Sequence, residues 1–433
     1  MKNKVVSIIA LLLLISLFVG VSSVFAASSS DKVTISFTWW GDTRRHEIYN
    51  KIADLFEAAN PNIKVDRLPG SWTQYWDKLA TQIAGGNAPD VVGMHQRYVS
   101  DYAPRGALLN LKPYIDSGVI DISDLPESVY QGGFINDNLY MIAQGVTTTG
   151  FIYNTVTLDE LGVPYPDSDM TWKEFAAKAI EIREAAKAKA LDMWGSGDNS
   201  EQFMPLLAYY ARSNGENIYT KDGDLGFSEE TLVNWFKYWK DLRVKGAIPD
   251  AATTTEYRSV PLEQNLFNTG KSGMNLLPAN QITLYQNQVT NGGAINITRI
   301  PHLEGKQPGE YIEGSYLAIT SGSKHPEAAA KFISFFINNT EAQKTFMLEQ
   351  GVPPTTTAIE AISDDLTVTQ KRIINFVSKT LELAGGAPYP PPGSTEVISR
   401  FIDINEAVSF GQLTPEEGAA QFMQDAKDIL SKD

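Results

Sequence analysis

Two short segments combine aromatic, small and planar polar residues that suit the recognition of a ligand rich in hydroxyl groups. They are Trp40-Gly41-Asp42-Thr43-Arg44 and Met94-His95-Gln96-Arg97. An aromatic ring can cover the apolar face of a sugar, and carboxylate, amide and guanidinium groups can make paired hydrogen bonds with vicinal hydroxyls. Because each segment follows a predicted strand, we expect both at one edge of a sheet. The alternative is structural: Trp40 belongs to the core, and Asp42 or Thr43 only caps the next helix.

Other reaction chemistry has little support. The chain has no cysteine, and its four histidines lack the spacing of metal ligands, so we predict neither a metal site nor a cofactor. The one segment like a phosphate loop, Thr269-Gly270-Lys271-Ser272, has Asn265 where the motif needs glycine. A carboxylate pair for glycoside hydrolysis can form from distant residues, and 51 acidic residues offer no basis for choosing two. A secreted glycoside hydrolase therefore stays open as an alternative.

The composition indicates a folded chain of more than one domain. It has 433 residues, of which 43% are hydrophobic and 20% are charged, so general disorder is excluded. The formal charge of −15 argues against broad contact with nucleic acid or an anionic membrane. A neutral or cationic ligand fits this charge better.

The N-terminus has the pattern of an export signal. Lys2 and Lys4 precede an apolar run from Val5 to Val21, and small residues follow, so we expect cleavage after Ala26 or Ala27. The alternative is an uncleaved membrane anchor. Because no cysteine follows the signal, we expect a secreted, soluble protein without a lipid anchor.

The alternation of elements predicts an α/β fold with a mostly parallel sheet and helices on both faces. Strands are predicted at 33–40, 63–68 and 90–94, and helices at 48–59 and 72–83, which gives a β-α-β-α-β unit. Thr171 followed by Glu174 is typical of a capping box at the start of a helix. Later segments are predicted as helices at 201–213, 228–244, 325–337 and 340–350, and as strands at 294–300 and 315–320.

Most of the eight tryptophans fit core positions. Trp72 and Trp76 share a helical face, and Trp239 lies on another, so all three are interpreted as core residues. Trp194 precedes the segment 195–199, Gly-Ser-Gly-Asp-Asn, which is interpreted as a loop. Trp194 is therefore a candidate for contact with a ligand, with packing as the equal alternative.

Taken in order, several segments resemble the extracellular solute-binding proteins of bacterial ABC importers, in the carbohydrate-binding group that includes maltose-binding protein. The resemblance covers essentially the whole chain after the signal. The segments include Trp39-Trp40-Gly41, 52–57, 60–65, 84–92, 108–114, 140–143, 171–175, 267–274 and 314–319.

The resemblance implies a two-lobed periplasmic-binding-protein fold of type II, with a hinge and a ligand cleft between the lobes. The N-terminal lobe would comprise 27–145 and 300–352, and the C-terminal lobe 146–299 and 353–433. Three crossings would join them, near Gln144–Thr147, Arg299–His302 and Gly351–Pro354.

The resemblance also implies which residues contact the ligand. They are Trp40, Asp42 and Arg44 at the first strand end, His95, Gln96, Gln144, Thr149, Trp194, Asp198, Asn280, Glu313, Tyr316 and Tyr389.

By the same resemblance the chain would be a periplasmic monomer that captures a carbohydrate and delivers it to the ABC permease. The expected carbohydrate is an oligosaccharide. Binding of another polar solute, such as a glycerol phosphate, stays open because Arg44 and Arg97 follow the predicted strands. Capture would work through closure, because a ligand that contacts both lobes only in the closed form shifts the population toward that form.

Overall fold

The computed structural model describes residues 32–135, 137–387 and 389–431, and the predicted export signal lies outside these ranges. The strands are β1 (Val33–Trp40), β2 (Ile63–Gly70), β3 (Val91–His95), β4 (Phe134–Ile135), β5 (Asn138–Leu139), β6 (Met141–Thr147), β7 (Thr149–Asn154), β8 (Trp194–Ser196), β9 (Ser272–Pro278), β10 (Ile295–Thr298) and β11 (Glu313–Ile319).

Helices cover both sheets. They are α1 (Thr43–Ala59), α2 (Trp72–Ala84), α3 (Gln96–Tyr102), α4 (Lys112–Asp116), α5 (Glu127–Gln131), α6 (Thr155–Leu161), α7 (Trp172–Ala188), α8 (Ala208–Ser213), α9 (Glu229–Val244), α10 (Ala251–Tyr257), α11 (Ile282–Gln286), α12 (Pro326–Asn338), α13 (Thr340–Phe346), α14 (Thr356–Ile362), α15 (Val368–Leu381), α16 (Ser394–Ser409) and α17 (Pro415–Leu430). A π-helical turn, Phe203–Leu207, precedes α8.

The strands form two main sheets. The five-stranded sheet has the order β2-β1-β3-β11-β6, and the four-stranded sheet has the order β10-β7-β9-β8. β1 is parallel to β2 and β3, which confirms the predicted β-α-β-α-β unit. β11 comes from far along the chain and lies antiparallel between β3 and β6.

The alternation of side chains along β1 divides its residues between two cores. Phe37 and Trp39 pack on one face of the sheet, where Trp39 stacks with Tyr49 of α1 at a centroid distance of 5.3 Å. Trp40 points to the other face and packs against Tyr75 and Trp76 of α2. Because the side chains of a strand alternate, the last residue of β1 is turned away from α1.

The chain passes between the sheets in separate places. β6 leads into β7 through the single residue Thr148, and β10 leads into β11 through residues 299–312. Near the end of the chain, α14 packs against α12 and α13, whereas α15 packs against α11 and β10. Each sheet thus builds its own lobe, and both lobes draw on distant parts of the sequence.

Two sequence-based interpretations are wrong. Trp194–Ser196 is strand β8, paired with β9, so the segment 195–199 is a loop only from Gly197 onward. Glycine permits this strand, because a Cβ atom at Gly195 would lie 1.8 Å from the carbonyl oxygen of Ala179 in the neighbouring helix. Trp72 is 38% exposed and is not a core residue.

One local prediction, the capping box, is confirmed. Thr171 and Glu174 form the capping box of α7, with the Thr171 N–H donating to the Glu174 carboxylate at 2.7 Å. Ser272 opens strand β9, whereas a phosphate loop would lead into a helix. Within the described ranges, none of the helices has the length and apolar character needed to cross a bilayer.

Candidate ligand-binding site

A cleft of about 560 Å³ lies between the two sheets. One wall comes from the carboxyl ends of β1 and β3 and from the first turn of α2. The opposite wall comes from the end of β9 and the segment 199–205, and the floor comes from the starts of β7 and β11. The strand ends that the sequence predicted to converge therefore meet at this cleft.

Aromatic rings build the wall at the end of β1. Trp40 is 5% exposed, and its ring lies edge-to-face against Trp72, Tyr75 and His95, with centroids 5.2–6.4 Å apart. Trp72, the first residue of α2, also lines the cleft. This wall therefore offers an apolar aromatic surface beside polar groups.

His95 is held in one neutral form. Its Nδ1 accepts a hydrogen bond from the backbone N–H of Arg97 at 3.2 Å, so the ring proton lies on Nε2. Burial, with a smaller contribution from the Arg97 charge, lowers the pKa of His95 to about 3. The imidazole therefore acts as a neutral donor at physiological pH.

The floor of the cleft carries a carboxylate. Thr149 Oγ1 donates to Glu313 Oε2 at 2.8 Å. Burial raises the pKa of Glu313, while the bond from Thr149 and the charge of Arg97 favour its ionised form. Beside it, the backbone N–H of Asn280 donates to Thr147 Oγ1 at 3.3 Å, which joins the end of β9 to the end of β6.

The charges at the cleft nearly cancel. Among the described residues that line it, the charged side chains are Arg45, Arg97 and Glu313. Arg45 Nε donates to Glu349 at 3.0 Å, so its charge is already paired. Arg97 and Glu313 then contribute one charge of each sign, and amide and hydroxyl groups supply most of the remaining polar lining.

Comparison with known proteins identifies the family. The model of the bacterial extracellular solute-binding protein family matches residues 40–343 of the chain. The chain belongs to this family. Its lobes have the type II periplasmic-binding-protein fold, like maltose-binding protein, which confirms the fold class predicted from the sequence.

Similar proteins match this solute-binding protein over most of its length. A solved family 1 extracellular solute-binding protein from Alicyclobacillus acidocaldarius is 31% identical with a TM-score of 0.78, and the match covers 92% of this chain and 99% of that one. A Brucella abortus protein named as a binding protein is 24% identical over 96% of this chain and 98% of its own length. The maltodextrin-binding protein MdxE of Bacillus subtilis is 22% identical over 80% and 78% respectively. Family members bind small molecules outside the cytoplasm and work with ABC permeases.

The cleft of this solute-binding protein brings together about half of the residues that the sequence suggested. The predicted residues that line it are Trp40, His95, Gln96, Thr149, Asn280 and Glu313. They come from β1, β3, the start of α3, β7, β11 and the turn after β9, so distant parts of the chain supply them.

Asp42 and Arg44 lie outside the described lining. Asp42 is exposed and caps α1, accepting a hydrogen bond from the Arg45 N–H at 2.9 Å, which lowers the pKa of its carboxyl group. Arg44 is exposed, while its neighbour Arg45 lines the cleft. Asp42 therefore caps the helix after β1, which is the structural alternative that the sequence left open.

Gln144 and Tyr316 are buried beneath the floor. Gln144 donates to Ser315 Oγ at 2.7 Å and accepts from the Tyr49 hydroxyl at 2.9 Å. Tyr316 accepts a hydrogen bond of 2.9 Å from Gln96 Nε2. Their contacts connect β6 and β11 to each other and to the helices α1 and α3.

Three predicted residues remain, and none of them is in the described lining of the cleft: Tyr389, Trp194 and Asp198. The Tyr389 hydroxyl donates to the carbonyl of Gly132. Trp194 packs under the guanidinium of Arg183, 5.8 Å from the ring centroid. The Asp198 carboxylate is 1% exposed and pairs with Arg243 Nε at 2.5 Å, and Asp198 is outside the described lining of the cleft.

Several residues that line the cleft were not among the predicted contacts. They include Arg45, Trp72, Arg97, Asn199, Gln202, Tyr311 and Gln350. Arg97 belongs to the segment 94–97 that the sequence singled out for hydroxyl recognition, although it is not among the contacts that the resemblance implies. Asn199 and Gln202 precede a π-helical turn that periodicity does not reveal.

Proposed function

We propose that this protein captures a neutral carbohydrate, an oligosaccharide, in the cleft between its lobes and presents it to an ABC permease. The observation that carries the proposal is the lining of the cleft, in which aromatic rings and neutral hydrogen-bonding groups face each other with balanced charge. Its volume of about 560 Å³ lies within the range of about 300–1,000 Å³ of small-molecule sites. The sequence relative named as a maltodextrin-binding protein supports the same ligand class.

The chemistry of the lining favours binding without hydrolysis. A glycosidase needs two carboxyl groups about 5–9.5 Å apart across the scissile bond. Among the described residues that line this cleft, Glu313 is the carboxylate, and Arg45, Arg97 and neutral side chains make up the rest of its polar surface. This composition supports capture of an intact sugar rather than its cleavage.

A second candidate ligand is a small anionic solute such as a glycerol phosphate. It is favoured by Arg97, which is exposed at the cleft and has no carboxylate within ion-pair distance in the described part of the chain. Glu313 opposes it, because its carboxylate lies on the floor of the same cleft.

A thermal-shift screen tests the proposal. The mature chain is screened against maltose, maltotriose, raffinose, xylotriose and glycerol 3-phosphate, and each sugar that raises the melting temperature is recovered after an overnight incubation. We expect at least one oligosaccharide to stabilise the protein and to be recovered intact. Stabilisation by glycerol 3-phosphate alone, or cleavage that follows protein concentration, would contradict the proposal.

The lobe boundaries are part of this proposal. The assigned ranges are 27–145 with 300–352, and 146–299 with 353–433. Their boundaries at 145 and 299 lie close to the passages from β6 to β7 and from β10 to β11, with residues 146–147 still in β6. The packing of α14 against α12 and α13 supports moving the third crossing from 351–354 to the segment 363–367. Limited proteolysis with and without ligand would test this, since a crossing segment changes its protection on closure.

Export and oligomeric state complete the proposal. We propose a monomer that is released into the periplasm; the pattern of residues 1–26 supports export, and the absence of cysteine supports release without a lipid anchor. Cell fractionation with N-terminal sequencing checks this. Recovery of the chain in the inner membrane with residues 1–26 attached would contradict it.

A further inference from the structure

Three indole rings lie near one another at the cleft wall, and two of them are covered. Trp76 stacks on Tyr98 with a centroid distance of 3.9 Å and an interplanar angle of 18°. The Trp40 ring lies against Gly93, where an added Cβ atom would come within 3.1 Å of the ring atom Cζ3. Both residues are buried, with exposed fractions of 8% and 5%. Neither ring therefore has a broad face available to a ligand.

Trp72 differs in exposure and in the geometry of its contacts. Its exposed fraction is 38%, and it lines the cleft. Its ring contacts with Trp40, Trp76, His95 and Tyr98 are all edge-to-face, with interplanar angles of 68–83°. Among these neighbours, none lies parallel to the indole. These contacts fix the orientation of the ring while leaving it without a stacked partner.

A hydrogen-bond donor of fixed form lies beside this ring. The His95 centroid is 5.7 Å from that of Trp72, and the Arg97 N–H occupies His95 Nδ1, so the free donor is Nε2–H. A pyranose that stacks on an aromatic face carries its hydroxyls around the ring edge, where a neighbouring donor can reach them. Trp72 and His95 together therefore match one sugar unit.

We propose that Trp72 is the residue on which a sugar ring of the ligand stacks, with His95 donating from Nε2 to an oxygen of the same ring, while Trp40 packs behind Trp72. This rests on the proposed function, because it names the contact within that cleft. It also assigns the stacking role to a residue that the sequence had suggested for the core.

The test is calorimetric titration of the full mature chain with maltotriose, raffinose and xylotriose. The variants are Trp72→Ala, Trp72→Leu and Trp72→Phe, and the control is Tyr165→Ala, which removes another exposed aromatic ring, 43% exposed and outside the described cleft lining. For the sugar that binds the parent, we expect Trp72→Ala and Trp72→Leu to weaken binding about 10- to 100-fold. Trp72→Phe should recover most of the affinity, and Tyr165→Ala should leave it unchanged.

The outcomes separate the two proposals. If the parent binds a sugar and Trp72→Ala binds it within about twofold of the parent, the stacking role is wrong while the proposed function stands. If Trp72→Ala fails to fold, equal affinities of the Leu and Phe variants contradict the stacking role, because only phenylalanine offers an aromatic face. If none of the three sugars binds the parent, the proposed function fails for them, and the stacking role fails with it.

Discussion

Thr149 donates a 2.8 Å hydrogen bond from its hydroxyl to the carboxylate of Glu313, and the two residues open strands that belong to different sheets. The bond therefore connects the two lobes at the floor of the cleft. Burial raises the pKa of Glu313 even though Thr149 and Arg97 favour its charged form. Because burial disfavours the ionised form of this carboxyl group, its ionisation lowers the stability of the folded protein.

Replacing this carboxylate should change how stability depends on pH. Because the pKa of Glu313 is raised above its usual 4.5 in the folded state, folding is favoured at low pH and loses stability as pH rises through the folded pKa. Glu313→Gln keeps an oxygen acceptor for Thr149 and does not ionise. We expect the ligand-free variant to melt above the parent at neutral pH and close to it below about pH 4.5.

Melting curves of both proteins between about pH 4 and 8 check this. The other titrating groups are common to both chains, so the difference reports on Glu313. A variant that melts below the parent at neutral pH would contradict the assignment.

Trp40 and Trp239 should respond differently to truncation. Trp239 is fully buried in the C-terminal lobe, so Trp239→Ala should cost about 3–5 kcal/mol of unfolding free energy and leave the affinity of the folded protein unchanged. Trp40 lies behind Trp72 at the cleft, so Trp40→Ala should lower both stability and affinity.

Denaturant unfolding and calorimetric titration of both variants measure the two effects. Unchanged affinity in Trp40→Ala would place Trp40 in the core alone. If folded Trp239→Ala binds the sugar more weakly than the parent, loss of core packing alone lowers affinity, and the effect of Trp40→Ala could not be assigned to the cleft.

The strand ends could be predicted from the sequence, whereas the rotation of the helices that follow could not. Alternation along β1 and the parallel arrangement of β1 and β3 bring Trp40 and His95 to one edge. Beyond Trp40 the chain enters α1, where successive side chains point in different directions, so Arg45 lines the cleft and Arg44 is exposed. Sequence periodicity gives the spacing of a helical face but not the direction in which that face points.

Tertiary contacts also decide the environment of individual tryptophans. Trp72 shares a helical face with Trp76, but it is the first residue of α2 and extends beyond the packed part of that face toward the cleft. Trp194 is in a strand because Gly195 allows close approach to α7. Neither contact is visible in local patterns, since each depends on packing against another element.

Affinity should depend little on salt. A neutral sugar carries no charge that could pair with Arg97 or Glu313 in the cleft. Salt therefore has little charge–charge attraction between protein and ligand to screen. We expect the dissociation constant of the sugar to change by less than about twofold between roughly 0.05 and 0.5 M NaCl. A steep loss of affinity with salt would indicate an anionic ligand held by Arg97.

Asp198 should contribute to stability through Arg243. Their side chains are 1% and 9% exposed, so Asp198→Ala leaves a buried guanidinium without its carboxylate and should cost about 3–5 kcal/mol. Asp192 is the matched control, because its carboxylate is 78% exposed and lies 3.7 Å from Arg183, and Asp192→Ala should cost less than about 1 kcal/mol.

Denaturant unfolding compares the two variants, and titration with the sugar follows. Equal losses of stability would contradict the structural role of Asp198. A selective loss of affinity in a stable Asp198→Ala protein would restore Asp198 as a ligand contact.

The most direct test of the account is calorimetric titration of the stabilising sugar into the parent and into Asn280→Arg. Asn280 lines the cleft, so the substitution places a long charged side chain in the space assigned to the ligand. We expect one sugar bound per parent chain and no binding to Asn280→Arg, whose melting temperature without sugar should equal that of the parent. Equal binding by a folded Asn280→Arg variant would contradict the assignment of this cleft.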